Sequence, residues 1–408
     1  TPVESLYFLL INNTHTHVSV GMISNGRRLV FFYGNFFLVM LEVSCFLQTQ
    51  IGRHFRASTL TRRSLTQIAS TGKPSIAIVG SGAVGGYYGA RLWESGKYDV
   101  KFFMRGEHYE TSKLHGLNVT SVHGDIFIPP DLLQAFNDTS DIGTVDWVIV
   151  AIKSTALSSI PALISPLLQP GHTRVLAIMN GLIEDDLIQY LKQYHNENDN
   201  DEYIRCCGAL FGGMALVCSN RLGPGRIDHS YAGLLSSGVA AHSPKTTMDE
   251  HKDAFEKLWE PVQIDTIYEP SLVGGRWRKN CWNLPFNGIS VAMGGITVDK
   301  IVTDPGLRRL AHLVMDETIA TANADLAFHG FDESFFLGDA EKKQMFDLSD
   351  GMGPYRTSTM IDFVEKRPME VQYLFKEAVK KASALGVPVP HLETIVMQIE
   401  ALQRFYNL

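Results

Sequence analysis

A chain of 408 residues is long enough for two or three domains and a sizeable core. With 45% hydrophobic and 19% charged residues it is an ordinary globular protein, and a net charge of -7 without any basic stripe argues against nucleic acid as a partner. Its five cysteines are odd in number and form no C-x-x-C pair or metal-type Cys/His spacing, which argues against a disulfide framework or a metal site and predicts buried thiols in a reducing compartment.

Residues 1–73 differ from the rest. The only acids there are Glu4 and Glu42, against Arg27, Arg28, Arg53, Arg56, Arg62, Arg63 and Lys73. Leu29–Leu47 is a mostly apolar stretch of near bilayer-spanning length, although Glu42 inside it argues against a simple membrane helix. The segment that follows, RHFRASTLTRRSLTQIASTGK, is rich in Arg, Ser and Thr and lacks acids, a composition that suits an organelle transit segment. A targeting segment, a membrane anchor and a disordered leader all stay open. In each case the segment is expected to stand outside the chemistry.

The next stretch organises the chain. Ser75–Val79 is an apolar run short enough for a buried strand, and Gly80, Gly82 and Gly85 follow as G-x-G-x-x-G. An amphipathic segment runs to Gly96, and a second strand, Val100–Met104, ends at Arg105. In such a βαβ unit the first glycine allows a tight turn. The second lets backbone approach a pyrophosphate, and the third lets helix pack closely on strand. The helix N-terminus then offers unpaired N–H groups and partial positive charge to phosphates. The end of the second strand lies beside the adenosine ribose, where Asp or Glu would accept bonds from a free 2′-hydroxyl. Arg105 cannot accept them but can pair with a 2′-phosphate, so the spacing predicts NADP(H) rather than NAD(H). The alternative for Arg105 is a solvated arginine paired with Glu107.

Gly116–Pro130 alternates well enough for two short strands, and Val145–Ile152 is an apolar strand that delivers Lys153 at its C-terminal end. Ligands of doubly wound sheets sit beyond that edge, so Lys153 is placed to meet cofactor phosphates or ribose, unless it is simply solvated. A helix is expected over Ser159–Leu168. The strand Arg174–Met179 then delivers Asn180-Gly181, whose amide could contact the nicotinamide half or form an ordinary turn. His195–Glu202 reads as a polar surface loop. Cys206–Cys218 resumes as strand, and Gly223-Pro224-Gly225 turns a hairpin toward His229, a structural histidine on this reading. Asp249–Trp259 reads as a helix.

From about Ser271 the pattern is helical. Lys279, Asn283 and Asn287 recur at i, i+4 and i+8, so one stripe presents an ammonium and two carboxamides to a small polar ligand. Bulky apolar neighbours, Trp277, Trp282, Leu284 and Phe286, make this a lined cleft rather than a solvated face. Pro285 is expected to kink or end the helix and so to turn Asn287 away from the ideal stripe. Further helices are expected over Arg308–Leu326, Asp339–Leu348 and His391–Tyr406, with Ser358, Asp362 and Glu370 placed around Arg367-Pro368.

From Lys73 to Leu408 the chain resembles the ketopantoate reductase family, on the ordered motifs GSGAVGGYYGARL, FFMRG, AIKS, MNGL, GPGRIDH, WRKNCWN and ST–ID–KRPMEV. The resemblance implies a Rossmann-type α/β domain over residues 74–268, followed by an all-α substrate and catalytic domain over 269–408, with 1–73 as leader. It implies that Gly80, Ser81, Gly82, Ala83, Val84, Gly85, Arg105, Lys153 and Asn180 hold NADPH. Lys279 looks like the family's general acid and Asn283 and Asn287 like substrate ligands. Ser358 looks like the group that binds the substrate carboxylate. Glu370 resembles the acidic residue beside the nicotinamide ribose and is expected to pair with Lys279. Two positions depart from the pattern: Thr297 and Tyr355 stand where members of the family place asparagine.

The implied activity is NADPH-dependent reduction of 2-dehydropantoate to (R)-pantoate, on the way to pantothenate and coenzyme A. Reduction of a related branched 2-oxo acid, or a non-catalytic NADP(H)-binding sensor, are the alternatives. A small 2-oxo acid is the expected partner, with a homodimer left open and membrane contact confined to the leader. The compartment is cytoplasmic, or a mitochondrion or plastid if the leader is a transit segment.

Overall fold

Strand alternation builds the sheet and fixes which side chains face which layer. The structure, a computed structural model, describes residues 29–32, 38–41, 72–198 and 201–407. Leu29–Phe32 (β1) and Leu38–Leu41 (β2) pair antiparallel, Leu29 opposite Leu41, within a unit of their own. The described parts of the long apolar stretch are therefore strands. No helix among the described residues is long and apolar enough to cross a membrane. The Arg/Ser/Thr-rich segment lies outside the described residues except for Gly72 and Lys73.

In the second unit, Ser75–Val79 (β3), Asp99–Phe103 (β4), Leu117–Ser121 (β5), Ile126–Ile128 (β6) and Gln134–Phe136 (β7) come first. Trp147–Val150 (β8), Arg174–Ile178 (β9), Ala209–Gly223 (β10), Arg226–His242 (β11) and Thr266–Tyr268 (β12) complete one ten-stranded sheet. Its parallel part has the order β7-β4-β3-β8-β9-β10, a doubly wound sheet whose direction of winding reverses between β3 and β8. Beyond it β10 pairs antiparallel with β11, which in turn pairs with β5 and β12.

Both faces of the parallel part are covered, so successive residues enter different cores. Ile76 and Ile78 pack with Tyr88 of helix α1 (Ala83–Glu94) and Trp259 of α5 (Met248–Trp259). Ala77 and Val79 pack instead with Ile160 of α3 (Ile160–Ile164) and Leu187 of α4 (Glu184–Tyr194). Helix α2 (Gly106–His115) follows β4. The continuous helix expected over Ser159–Leu168 is instead α3 flanked by two 3₁₀ turns. Pro166 explains the break after Ile164: it lacks an N–H and disfavours helical backbone just before it.

The C-terminal half is helical: α6 (Leu272–Ala292), α7 (Val298–Thr303), α8 (Pro305–Phe328), α9 (Asp339–Asp350), α10 (Ser358–Val364), α11 (Glu377–Ala384) and α12 (Pro390–Tyr406). Helix α6 is its axis, packed on α8, α10 and α12. It continues through Pro285, so of the two outcomes expected there, a kink or an end, the helix does not end. Sixteen of its 21 residues are buried, and this packing outweighs the ~3 kcal/mol that an internal proline costs.

Candidate active site

The glycine turn has the shape the spacing predicts. Gly80 adopts φ +96°, and a Cβ there would sit 2.8 Å from the Ala151 carbonyl oxygen. Gly85 lies so close to the turn that a Cβ would press on the Gly80 carbonyl and stand 3.0 Å from Ala151 Cβ. Open space surrounds Gly82, which caps α1 without a side-chain bond, and no acid sits in the first turn. The N–H groups at this end are therefore available to an anion. The side chain of Ser81 faces inward, its hydroxyl donating to the Phe103 carbonyl at 3.1 Å, so only its backbone borders the opening. Ala83 offers its carbonyl to Ser219 Oγ at 3.0 Å, and Val84 packs against the core.

One clamp on this loop escapes a reading of the sequence. His108 Nδ1 accepts the Gly225 N–H at 2.9 Å, so its Nε2–H donates to the Ser81 carbonyl at 2.7 Å. Burial lowers its pKa and keeps this neutral tautomer, which ties the glycine loop to the β10–β11 turn. Arg105, at the end of β4, is exposed and lies 5.1 Å over the Phe103 ring. It forms no ion pair with Glu107 or any other described residue, so its charge is left unneutralised.

At the ends of β8 and β9 the two halves meet. Gly181 has φ +86°, and a Cβ on it would overlap the Tyr373 backbone, while Leu182 N donates to the Tyr373 carbonyl at 3.0 Å. Tyr373 belongs to a π-helical turn, Gln372–Lys376, just after Glu370. One carboxylate oxygen of Glu370 accepts the Ser154 N–H at 2.7 Å, and the other accepts from Asn180 Nδ2 at 3.4 Å. Lys153 Nζ reaches Asp362 of α10 at 2.6 Å.

Helix α6 brings the remaining groups across. Buried Arg276 binds Glu184 at 2.5 Å and donates to the carbonyls of Met179 and Gly213, fastening α6 to the sheet. One turn on, Lys279 Nζ donates to the Ala215 carbonyl at 2.8 Å. Burial drives the lysine from its usual 10.5 down to about 7; the Arg276 charge adds to this and Glu370 opposes it. The expected Glu370–Lys279 ion pair is not formed, because Ser154 and Asn180 occupy the carboxylate, which acts on the lysine by charge alone.

Asn287 stays on the stripe despite Pro285: its Nδ2 lies 3.3 Å from Asn283 Oδ1. Its Oδ1 accepts from Thr359 N at 3.1 Å and Ser358 Oγ at 3.4 Å. Asn283 Nδ2 is buried without a hydrogen-bond partner, a donor waiting for an acceptor. Tyr355 packs edge-on against Trp282, 6.0 Å between centroids, and burial with Cys218 beside it pushes its hydroxyl up to about 12. Thr297 turns its hydroxyl to Asp299 at the start of α7, away from the asparagines. His229 is buried with both ring nitrogens bonded, to Ser121 and the Tyr231 carbonyl, as a structural residue should be. Cys206, Cys207 and Cys281 are buried free thiols.

Helix α6 thus carries the ammonium, bonded to β10, and the two carboxamides, and α10 adds the serine beside Asn287. Residues 76–241 match the family profile "Ketopantoate reductase PanE/ApbA" and residues 271–403 match "Ketopantoate reductase PanE/ApbA C terminal". A 2-dehydropantoate 2-reductase of Nostoc sp. is 32% identical over 328 residues, 80% of this chain and 94% of that one. The crystal structure of 2-dehydropantoate 2-reductase from Geobacter metallireducens superposes with a TM-score of 0.69 at 31% identity, over 80% of this chain and 99% of that one. D-mandelate dehydrogenase, solved with NADH and anilino(oxo)acetate, shares the fold at 19% identity, with a TM-score of 0.68 over 82% and 99% of the two chains. With both halves matched and a relative at this identity, the chain belongs to the ketopantoate reductase family.

Proposed function

We propose that this protein reduces 2-dehydropantoate to (R)-pantoate with NADPH, residues 74–268 holding the cofactor and residues 269–408 supplying the substrate groups. The carrying observation is Lys279: a partly buried amine, tied to β10, whose pKa is brought to about 7. A proton donor works best when its pKa lies near the working pH. The open Gly82, the uncapped start of α1 and the unpaired Arg105 fit a dinucleotide that carries a 2′-phosphate. Bound NADPH would supply the hydride to the substrate's carbonyl carbon.

The protein's own groups do the rest. The charged form of Lys279 stabilises the carbonyl oxygen as it becomes negative and then transfers its proton to it, leaving the alcohol and a neutral amine. Ser358, at the first turn of α10, takes the substrate carboxylate, and the free Nδ2 of Asn283 orients the hydroxyl end. Asn287 holds Ser358 and Thr359 in place for this. Glu370 keeps the ends of β8 and β9 in register with the helical half and supports the charged lysine.

A second reading, reduction of a related branched 2-oxo acid, is favoured by Tyr355, which adds an aromatic wall beside Trp282. Steady-state rates over a panel of 2-oxo acids decide between the two. The highest kcat/KM belongs to 2-dehydropantoate on the first reading, and a better value for any analogue overturns it. Residues 1–73 stand outside the chemistry on either reading, so a chain lacking them keeps its kcat.

A further inference from the structure

Helix α10 faces both sides of the cleft. Ser358, its first residue, bonds to Asn287 on α6 at 3.4 Å. Asp362, one turn later on the same face, reaches Lys153 at the end of β8 at 2.6 Å, across 209 positions of chain. Arg367 shares the same oxygen, its Nε 3.1 Å from Oδ1. The Asp362 side chain is 8% exposed, while Lys153 and Arg367 are 44% and 49% exposed. A buried carboxylate thus holds two cations whose outer faces remain wet. Oδ2 of Asp362 accepts no hydrogen bond among the described residues.

We infer that Asp362 is a positioning residue: it holds the Lys153 ammonium from across the cleft, so that the helix presenting the substrate-side serine also sets the cofactor-side cation. This rests on the reading of Lys153 as a cofactor ligand. Lysine is a flexible chain with four carbons between backbone and charge, and freezing it costs rotamer entropy. A carboxylate that has already fixed it removes that cost from cofactor binding. It also joins the two halves, because any shift of α10 moves Ser358 and Lys153 together. The consequence is energetic coupling between the cofactor side and the oxo-acid side through one short helix.

The test uses the full chain and the variants Asp362→Asn, Asp362→Glu, Lys153→Met and the double variant Asp362→Asn/Lys153→Met. Cofactor Kd is measured by fluorescence titration, with and without the oxo acid, and kcat and both KM values by steady-state assay. Because Lys153 and Arg367 are half in water, Asp362→Asn should fold, and a thermal melt confirms it. Asp362→Asn should raise Kd and KM for NADPH about tenfold, the loss of a charge-assisted bond, with kcat within about threefold. The double variant should bind no more weakly than Lys153→Met, and Asp362→Glu should recover part of the loss. The oxo acid should tighten cofactor binding less in Asp362→Asn than in the wild type. An unchanged cofactor Kd in Asp362→Asn, or losses that add in the double variant, overturns the inference. If the wild type prefers NADH or another oxo acid, the proposed function fails on its own. The Kd comparison is then made with the ligands it does bind.

Discussion

The Lys279 amine lies 2.8 Å from the Ala215 carbonyl oxygen, a bond from the helical half to strand β10. That single acceptor leaves the nitrogen two further hydrogens and fixes where they can point. Arg276, three residues earlier, is spent on Glu184 and two carbonyls, so it lends its charge to Lys279 without competing for the substrate.

The pH dependence follows from that environment. A proton donor must be protonated, so kcat/KM for reduction should fall as pH rises through about 7. Glu370 raises the lysine's pKa, so Glu370→Gln should move the falling limb to lower pH. A rate profile flat from pH 6 to pH 9 would remove Lys279 from the proton-transfer step.

Stability should carry the opposite mark of the same lysine. Folded, it loses its proton near 7, while unfolded it keeps it up to about 10.5. Between those values the unfolded chain binds more protons, so stability rises with pH across that window. Lys279→Met should flatten the rise and be more stable than the wild type near pH 7, as Tm measured over pH would show.

On the proposed function, Arg105 sets the preference between the two cofactors. Its guanidinium is exposed and unpaired, so Arg105→Asp should leave the fold intact. Loss of charge-assisted bonds to a 2′-phosphate should weaken NADPH by roughly 10- to 100-fold and NADH far less. Equal losses, read as Kd for each cofactor, would refute the phosphate role.

Arg276 is a structural counterpart. It is 3% exposed and its partner Glu184 15%, so Arg276→Ala strands a carboxylate and should cost about 3–5 kcal/mol in urea unfolding. A loss below about 1 kcal/mol would mean that the pair does not fasten α6 to the sheet.

What the sequence made legible was local. Gly80, Gly82 and Gly85 announce the turn because their spacing belongs to one local strand–turn–helix, although Ala151 from β8's end also crowds Gly80 and Gly85. The stripe of Lys279, Asn283 and Asn287 is legible because helical spacing alone puts them on one face. Pro285 does not end α6 because propensity is a local quantity and burial of the helix is not. The clamp of His108 on Ser81 and Gly225, the hold of Glu370 on Ser154 and Asn180, and the reach of Lys153 to Asp362 join residues 27 to 216 positions apart. No spacing rule encodes such contacts: the first exists only once the sheet is assembled, and the other two only once the helical half has docked on it.

The most direct test of the central claim is a single-turnover experiment with NADPH and 2-dehydropantoate near pH 6.5, comparing wild type with Lys279→Ala. Loss of NADPH absorbance and stoichiometric pantoate are expected from the wild type. The variant should react about 100- to 10,000-fold more slowly with its NADPH Kd unchanged. A variant as fast as the wild type would contradict the assignment of Lys279 and, with it, the chemistry proposed for the cleft.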